Sequence, residues 1–228
     1  GSALLGGGST PRPGEVTLSH NGVLFLDELP EFERSTLEML RQPLEDGEVS
    51  ISRVRAAMTF PSRFILVAAQ NPCPCGYLGD SRHVCTCKQR DIENYRRKIS
   101  GPLMDRIDMQ INLARVDFSE LKDKQAGESS AVIRERVVRA RQLQQARLEP
   151  WGIHCNAQMG RQEVVKYCQL DAQAQAVMEK YFNILNLSAR SHDRILKVAR
   201  TIADLAGCAN IQAAHIAEAV TLRANNRS

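Results

Sequence analysis

The sequence holds 228 residues, enough for one large domain or two small ones, and its 43% hydrophobic and 25% charged residues exclude disordered, collagen-like and coiled-coil chains. No run approaches the ~18 apolar residues that span a bilayer and no basic-then-apolar leader is present, so a cytoplasmic protein with no membrane partner is the expectation. A net charge of +4 permits a nucleic-acid partner without requiring one, and 5% aromatics leave little for base-stacking platforms.

The first twenty residues are rich in glycine and turn formers, from Gly6-Gly7-Gly8 to Pro11, Pro13 and Gly14. Val23 to Leu26 is an unbroken apolar run, which predicts a strand buried on both faces, as in a parallel sheet. Leu37, Leu40 and Leu44 predict a helix over 31–42. Val49, Ile51, Met58 and Phe60 alternate, which predicts a hairpin over 48–60 with Arg53 and Arg55 near its tip. Phe64 to Ala69 is a second buried strand, and Met109 to Leu113 a third. After Val116 the pattern turns helical. Helices are expected over 129–147, with Ala131, Val132, Val138 and Leu143 among five arginines, and over 171–184 and 190–206. Ser188 is the expected N-cap of the 190–206 helix and Gly207 its C′ residue; Asn210 is the expected cap of a last helix through Ala213, Ile216, Ala217 and Val220. The chain thus reads as an α/β part, 1–118, followed by an all-helical part, 119–228, joined in the polar segment 117–130.

Asp27 and Glu28 end the first strand. In P-loop enzymes the first acid at such a place holds Mg²⁺ and the second polarises the attacking water; a strand ending in acids that merely start a turn is the alternative. Asn71 ends the second strand, where it could position a water or serve only as a turn residue before Pro72. Arg106, flanked by Asp105 and Asp108, reads either as a salt-bridged surface residue or as a finger offered to a neighbouring subunit's phosphate. Arg190 and Arg194 share one helix face and pose the same choice. Cys73-x-Cys75 and Cys85-x-Cys87 could complete a tetrahedral Zn²⁺ site, with His83 as a spare ligand. The one-residue gap departs from the usual Cys-x₂-Cys knuckle, and free thiols in a solvent loop remain the alternative. Cys155, Cys168 and Cys208 read as isolated, mostly buried small hydrophobes. The arginines of 134–141 read most simply as a solvated face.

Three segments carry a resemblance: Asn21-Gly22-Val23-Leu24-Phe25-Leu26-Asp27-Glu28, Asn71-Pro72-Cys73-Pro74-Cys75-Gly76, and Ser100-Gly101-Pro102-Leu103-Met104-Asp105-Arg106-Ile107-Asp108. With Leu187 to Arg200 they resemble the magnesium-chelatase-like AAA+ ATPases of the ComM/YifB group. The resemblance implies part of a P-loop AAA+ core followed by a helical lid. It makes Asp27 and Glu28 Walker B, Asn71 sensor 1, Arg106 the arginine finger and Arg190 sensor 2, with Arg194 the second choice. It also turns the 48–60 hairpin toward a central pore, where Arg53 and Arg55 could track a DNA backbone. ATP, Mg²⁺, a hexameric ring and DNA-directed branch migration in natural transformation are the implied cofactors, assembly and output; a chelatase-type ATPase and a zinc-stabilised interaction module are the alternatives. No Gly-x-x-x-x-Gly-Lys-Ser/Thr occurs in the 228 residues. The expectation is therefore a C-terminal part of such an ATPase, inactive alone, with Walker A and a Lon-protease-like domain upstream.

Overall fold

The computed structural model describes residues 2–7, 12–53, 56–80, 82–113 and 127–224, and the chain divides into two units, Gly1–Ile107 and Asp108–Ser228. Gly8, Pro11, Arg55 and the expected 118/119 boundary lie outside the described residues.

The first unit is organised by two parallel strands, β1 (Val23–Leu26) and β4 (Ile65–Ala68), paired Val23 to Ile65 through Leu26 to Ala68. Parallel neighbours need a long crossover. Here it holds two short helices, α1 (Arg34–Glu38) and α2 (Arg41–Asp46), and the hairpin β2 (Glu48–Arg53) and β3 (Ala56–Pro61). Helices α3 (Gln89–Arg97) and α4 (Gly101–Met104) follow β4. Leu24, Leu26, Leu37, Leu40, Val49 and Leu103 centre the core, and full burial of such a side chain is worth roughly 1.5–3 kcal/mol.

The β1 expectation needs correction. Leu24 and Leu26 are buried, but Val23 and Phe25 are 57% and 59% exposed, and Ile65 and Val67 on β4 are exposed beside them. Among the described residues the crossover packs on one face of this pair, so only alternate side chains are covered. The single helix expected over 31–42 is also two pieces. Pro43 lacks the N–H that a continuous helix would give to Met39, whereas in the first turn of α2 that donor is not needed. Leu37 and Leu40 are still fully buried. Gly47 closes α2 with φ 71°, and a Cβ there would meet the Arg63 side chain at 2.9 Å. The hairpin follows the expected alternation, with Val49 opposite Phe60 and Ile51 opposite Met58.

In the second unit, the segment 109–113 is not a strand. Met109, Ile111 and Leu113 are 52%, 66% and 90% exposed, and the Gln110 amide donates to the Leu222 carbonyl at 2.6 Å. A strand without a partner strand leaves its amides unsatisfied. The helices are α5 (Ser130–Leu148), α6 (Arg161–Tyr167), α7 (Ala172–Ile184), α8 (Ala189–Leu205) and α9 (Ala213–Ala224). Their core gathers Leu148, Met178, Ile195, Ala199, Ile211 and Ile216. The α5 stripe is corrected: Val132, Val138 and Leu143 are exposed, and the buried face is Ala140, Gln144 and Leu148, at four-residue spacing near its C-terminal end. Ser188 caps α8, its Oγ accepting from the Ser191 amide at 3.2 Å. Gly207 (φ 68°) ends the helix in a Schellman turn, with Cys208 N donating to Ala203 O at 2.8 Å and Gly207 N to Asp204 O at 3.1 Å. Asn210 does not cap α9. That helix begins at Ala213, and the His215 ring closes back on the Gln212 amide at 3.0 Å, as the third residue of a capping box does. Of the three isolated cysteines Cys168 is buried, while Cys155 and Cys208 are partly exposed. Among the described residues no helix is long and apolar enough to cross a membrane.

Candidate functional site

The C-terminal ends of β1 and β4 place Asp27, Glu28 and Asn71. Ala69 makes two backbone bonds there: its N–H donates to Leu26 O and its carbonyl accepts from Leu29 N, both at 2.9 Å. Residues 27 and 28 are looped out between these bonds, and both side chains are exposed. Asp27 Oδ1 accepts from the Glu28 amide at 2.8 Å. Glu28 has φ 49° and ψ 46°, a left-handed conformation that costs a non-glycine residue roughly 1–2 kcal/mol. Asn71, two residues beyond Ala69, is exposed beside this loop.

Tyr95 of α3 completes the neighbourhood. It is 7% exposed, and its hydroxyl meets the Asn71 backbone amide. Burial raises its pKa, the Asn71 amide opposes the rise, and the charges of Glu31, Cys73 and Glu28 add to it. Sequence reading missed both Tyr95 and α3; the signal was there in Ile92, Tyr95 and Ile99, apolar at i, i+3 and i+7.

The arginines are held differently. Arg106 follows α4, whose N-cap Ser100 accepts from the Leu103 amide at 3.2 Å. Its guanidinium pairs with Glu45 of α2 and donates to Pro102 O at 2.7 Å, leaving the side chain 7% exposed. Arg194 pairs with Asp108 at 2.5 Å within the second unit, and Arg190, in the first turn of α8, is exposed. Arg53 ends β2 opposite Ala56.

The four cysteines converge. Cys73 Sγ lies 3.4 Å from Cys75 Sγ and 3.6 Å from Cys85 Sγ, Cys75 and Cys85 are 3.6 Å apart, and the ligand atoms of all four, Cys87 included, lie within 4.8 Å of one another. The amides of Tyr77 and Thr86 hold the Cys75 thiol down to about 5, while burial and neighbouring Cys75 push Cys87 up to about 12. His83 stacks on Tyr77, with ring centroids 4.9 Å apart, and its Nδ1 lies 3.7 Å from Asp80.

A buried polar network in the second unit also escaped sequence reading. Arg147 donates to both Asp204 oxygens at 2.9 and 2.6 Å, Arg200 donates to Asp204 at 3.1 Å, and Asn156 links Asp204 to Thr201 at 2.8 and 3.0 Å. Arg200 also donates to the carbonyls of Ala209 and Cys208 at 2.7 and 2.5 Å, pinning the turn after α8. Arg200 and Asp204, four apart beside the apolar stripe of α8, were the available sign.

Two exposed carboxylates and an amide at the ends of paired parallel strands suit the metal-and-water side of a magnesium–nucleotide site. The glycine-and-lysine loop that would cradle phosphates is not among the 228 residues.

The family model for magnesium chelatase, subunit ChlI, matches residues 1–121, and the model for its C-terminal region matches residues 127–223. The chain belongs to this magnesium-chelatase-like family, within its ComM/YifB group. It is 45% identical over 223 residues to Competence protein ComM of Haemophilus influenzae, covering 97% of this chain and 43% of that protein. It is 43% identical over 227 residues to YifB of Escherichia coli, covering 99% and 44%. A shorter stretch of 70 residues is 30% identical to the Magnesium-chelatase 38 kDa subunit of Acidiphilium rubrum, covering 31% and 20%. The chain thus spans less than half the length of the curated relatives that it matches along nearly all of its own.

Proposed function

We propose that the chain supplies the acid-pair and sensor half of a nucleotide site, followed by the helical lid, in a ring-forming AAA+ ATPase that moves on branched DNA. The observation that carries this reading is its 45% identity, over 97% of its length, to a protein named for competence. The looped-out acid pair beside Asn71 supports it independently. Bound Mg²⁺ supplies charge neutralisation at the phosphates of ATP, and Asp27 is the residue to hold it. Glu28 polarises the attacking water and Asn71 orients it. Arg106 of a neighbouring subunit in a hexamer, and Arg190 or Arg194 of the lid, stabilise charge on the γ-phosphate. In this role Arg106 exchanges Glu45 for phosphate. Arg53 and Arg55 follow the DNA backbone without reading bases. A chelatase-type output is supported by a 70-residue similarity alone and ranks second.

The test is ATP turnover, with and without branched DNA, by a protein of full family length carrying these residues. Branched DNA should raise turnover, and Glu28→Gln should lower it by about 10²–10⁴-fold, as loss of a general base does. Replacing Arg53 and Arg55 by Ala should reduce the log–log salt slope of DNA binding by ~0.7–0.9 for each lost phosphate contact. Turnover indifferent to Glu28→Gln would overturn the site, and turnover and binding indifferent to DNA would overturn the output.

A further inference from the structure

The loop between β4 and α3 contains the four converging cysteines, and no covalent bond joins them: all seven cysteines of the chain are free. The arrangement is unlike that of loose surface thiols. Four ligand atoms lie within 4.8 Å of one another although nine residues lie between Cys75 and Cys85. Thiolates at about 2.3 Å from a tetrahedral metal stand about 3.8 Å from each other. The sulfur–sulfur contacts of 3.4 to 3.6 Å are close to that edge and far longer than a disulfide's roughly 2.05 Å.

The backbone is shaped to the same end. Gly76, with φ 80°, turns the chain immediately after Cys75, and its amide donates to Cys73 O at 3.0 Å. This turn brings the Tyr77 amide to Cys75 Sγ, while the Thr86 amide reaches the same sulfur from the other end of the loop. The Cys87 amide faces Cys85 Sγ, and the Cys75 amide faces Cys87 Sγ. Amide donors around sulfur are what a thiolate set requires once its protons have left.

We propose that Cys73, Cys75, Cys85 and Cys87 bind one Zn²⁺ in a closed, structural four-sulfur site that ties the β4–α3 loop together. Soft sulfur ligands in a four-coordinate set select zinc over magnesium or calcium. With all four positions filled by protein, no place is open for water or substrate, so the metal supports the fold and performs no hydrolysis. Cys73 lies two residues from Asn71, and Tyr95, at the far end of the segment, meets the Asn71 amide. The closed loop therefore holds Asn71 at the end of β4. Metal binding stands apart from the nucleotide reading; only the value of fixing Asn71 rests on it.

The 228-residue chain, purified without chelator in a reducing buffer, should contain one zinc per chain by elemental analysis. Cys73→Ser with Cys87→Ser should lose it, and Cys155→Ser with Cys208→Ser should keep it. Protein stripped with chelator should take up one equivalent of Co²⁺, with thiolate charge-transfer bands and the visible spectrum of a tetrahedral ion, so the wild-type chain decides even if the double variant does not fold. Amide exchange across 72–88 should rise about tenfold or more on stripping, while that of α8 stays unchanged. Zinc neither present nor taken up, an octahedral cobalt spectrum, or loading that survives loss of Cys73 and Cys87 would overturn the site. Unchanged exchange across the loop would overturn its structural role. A family-length protein that loads zinc but never hydrolyses ATP would sink the nucleotide reading and leave this one standing.

Discussion

Glu28 stands where glycine would be free of strain, yet an acid occupies the position, held between the two backbone bonds of Ala69. The role proposed for its carboxylate would account for the retained strain. The acids were legible because an apolar run ends abruptly in them; the left-handed angle was not, because it comes from a partner strand some forty residues away. Glu38 makes the opposite case, a charged residue whose role only the fold reveals. The Ser100 hydroxyl, followed by Arg41, holds its carboxyl below the ordinary 4.5. A depressed folded-state pKa stabilises above the unfolded value, and that contribution is lost as pH falls through the folded one. Stability of the chain should therefore decline from about pH 4.5 downward with a component that Glu38→Gln removes. Urea unfolding of both proteins between about pH 6 and 3 measures it; parallel pH profiles would assign the acid sensitivity elsewhere.

At the scale of elements, local signals were read well and non-local ones poorly. The cap at Ser188 and the stop at Gly207 depend on residues within a turn of one another, so α8 was legible to within a residue or two. The exposed stripe of α5 and the missing strand at 109–113 depend on what lies alongside, which periodicity does not report. The Arg147–Asp204–Arg200 network belongs to the second kind: it joins α5 to α8 and fastens the turn leading to α9. Asp204 and Arg200 side chains are 2% and 3% exposed. Removing the acid leaves two guanidinium groups in a buried site, which costs about 3–5 kcal/mol, and nearer the lower figure here because Arg147 is 19% exposed. Asp204→Ala should lower the urea midpoint of the chain accordingly. Asp204→Leu combined with Arg200→Met should be less harmful than Asp204→Ala, since it leaves one fewer unpaired charge. A loss below about 1 kcal/mol for Asp204→Ala would make the network peripheral.

For the molecule as a whole, the change from an α/β part to a helical part was visible in the sequence, as were the strand ends that carry Asp27, Glu28 and Asn71. The one-sided burial of β1 was not. Val23 and Phe25 have the composition of a strand covered twice, and composition does not say which face is covered within these residues. The same contrast governs nucleotide binding. Phosphoryl-transfer sites of this class hold the β- and γ-phosphates with backbone amides and a lysine, and these donors supply most of the affinity. The 228 residues contain the acids proposed to hold a metal and the amide proposed to orient water, but no Gly-x-x-x-x-Gly-Lys-Ser/Thr. Carboxylates alone repel a polyphosphate unless a cation stands between them. The chain by itself should accordingly show no saturable ATP binding at micromolar nucleotide, with or without Mg²⁺, and no turnover. Calorimetric titration with ATP and MgATP, paired with a phosphate-release assay, is the measurement. Micromolar affinity, or turnover that Glu28→Gln abolishes, would mean that the phosphates are held by residues other than a lysine loop, and that the site assigned to the ends of β1 and β4 is complete within this chain.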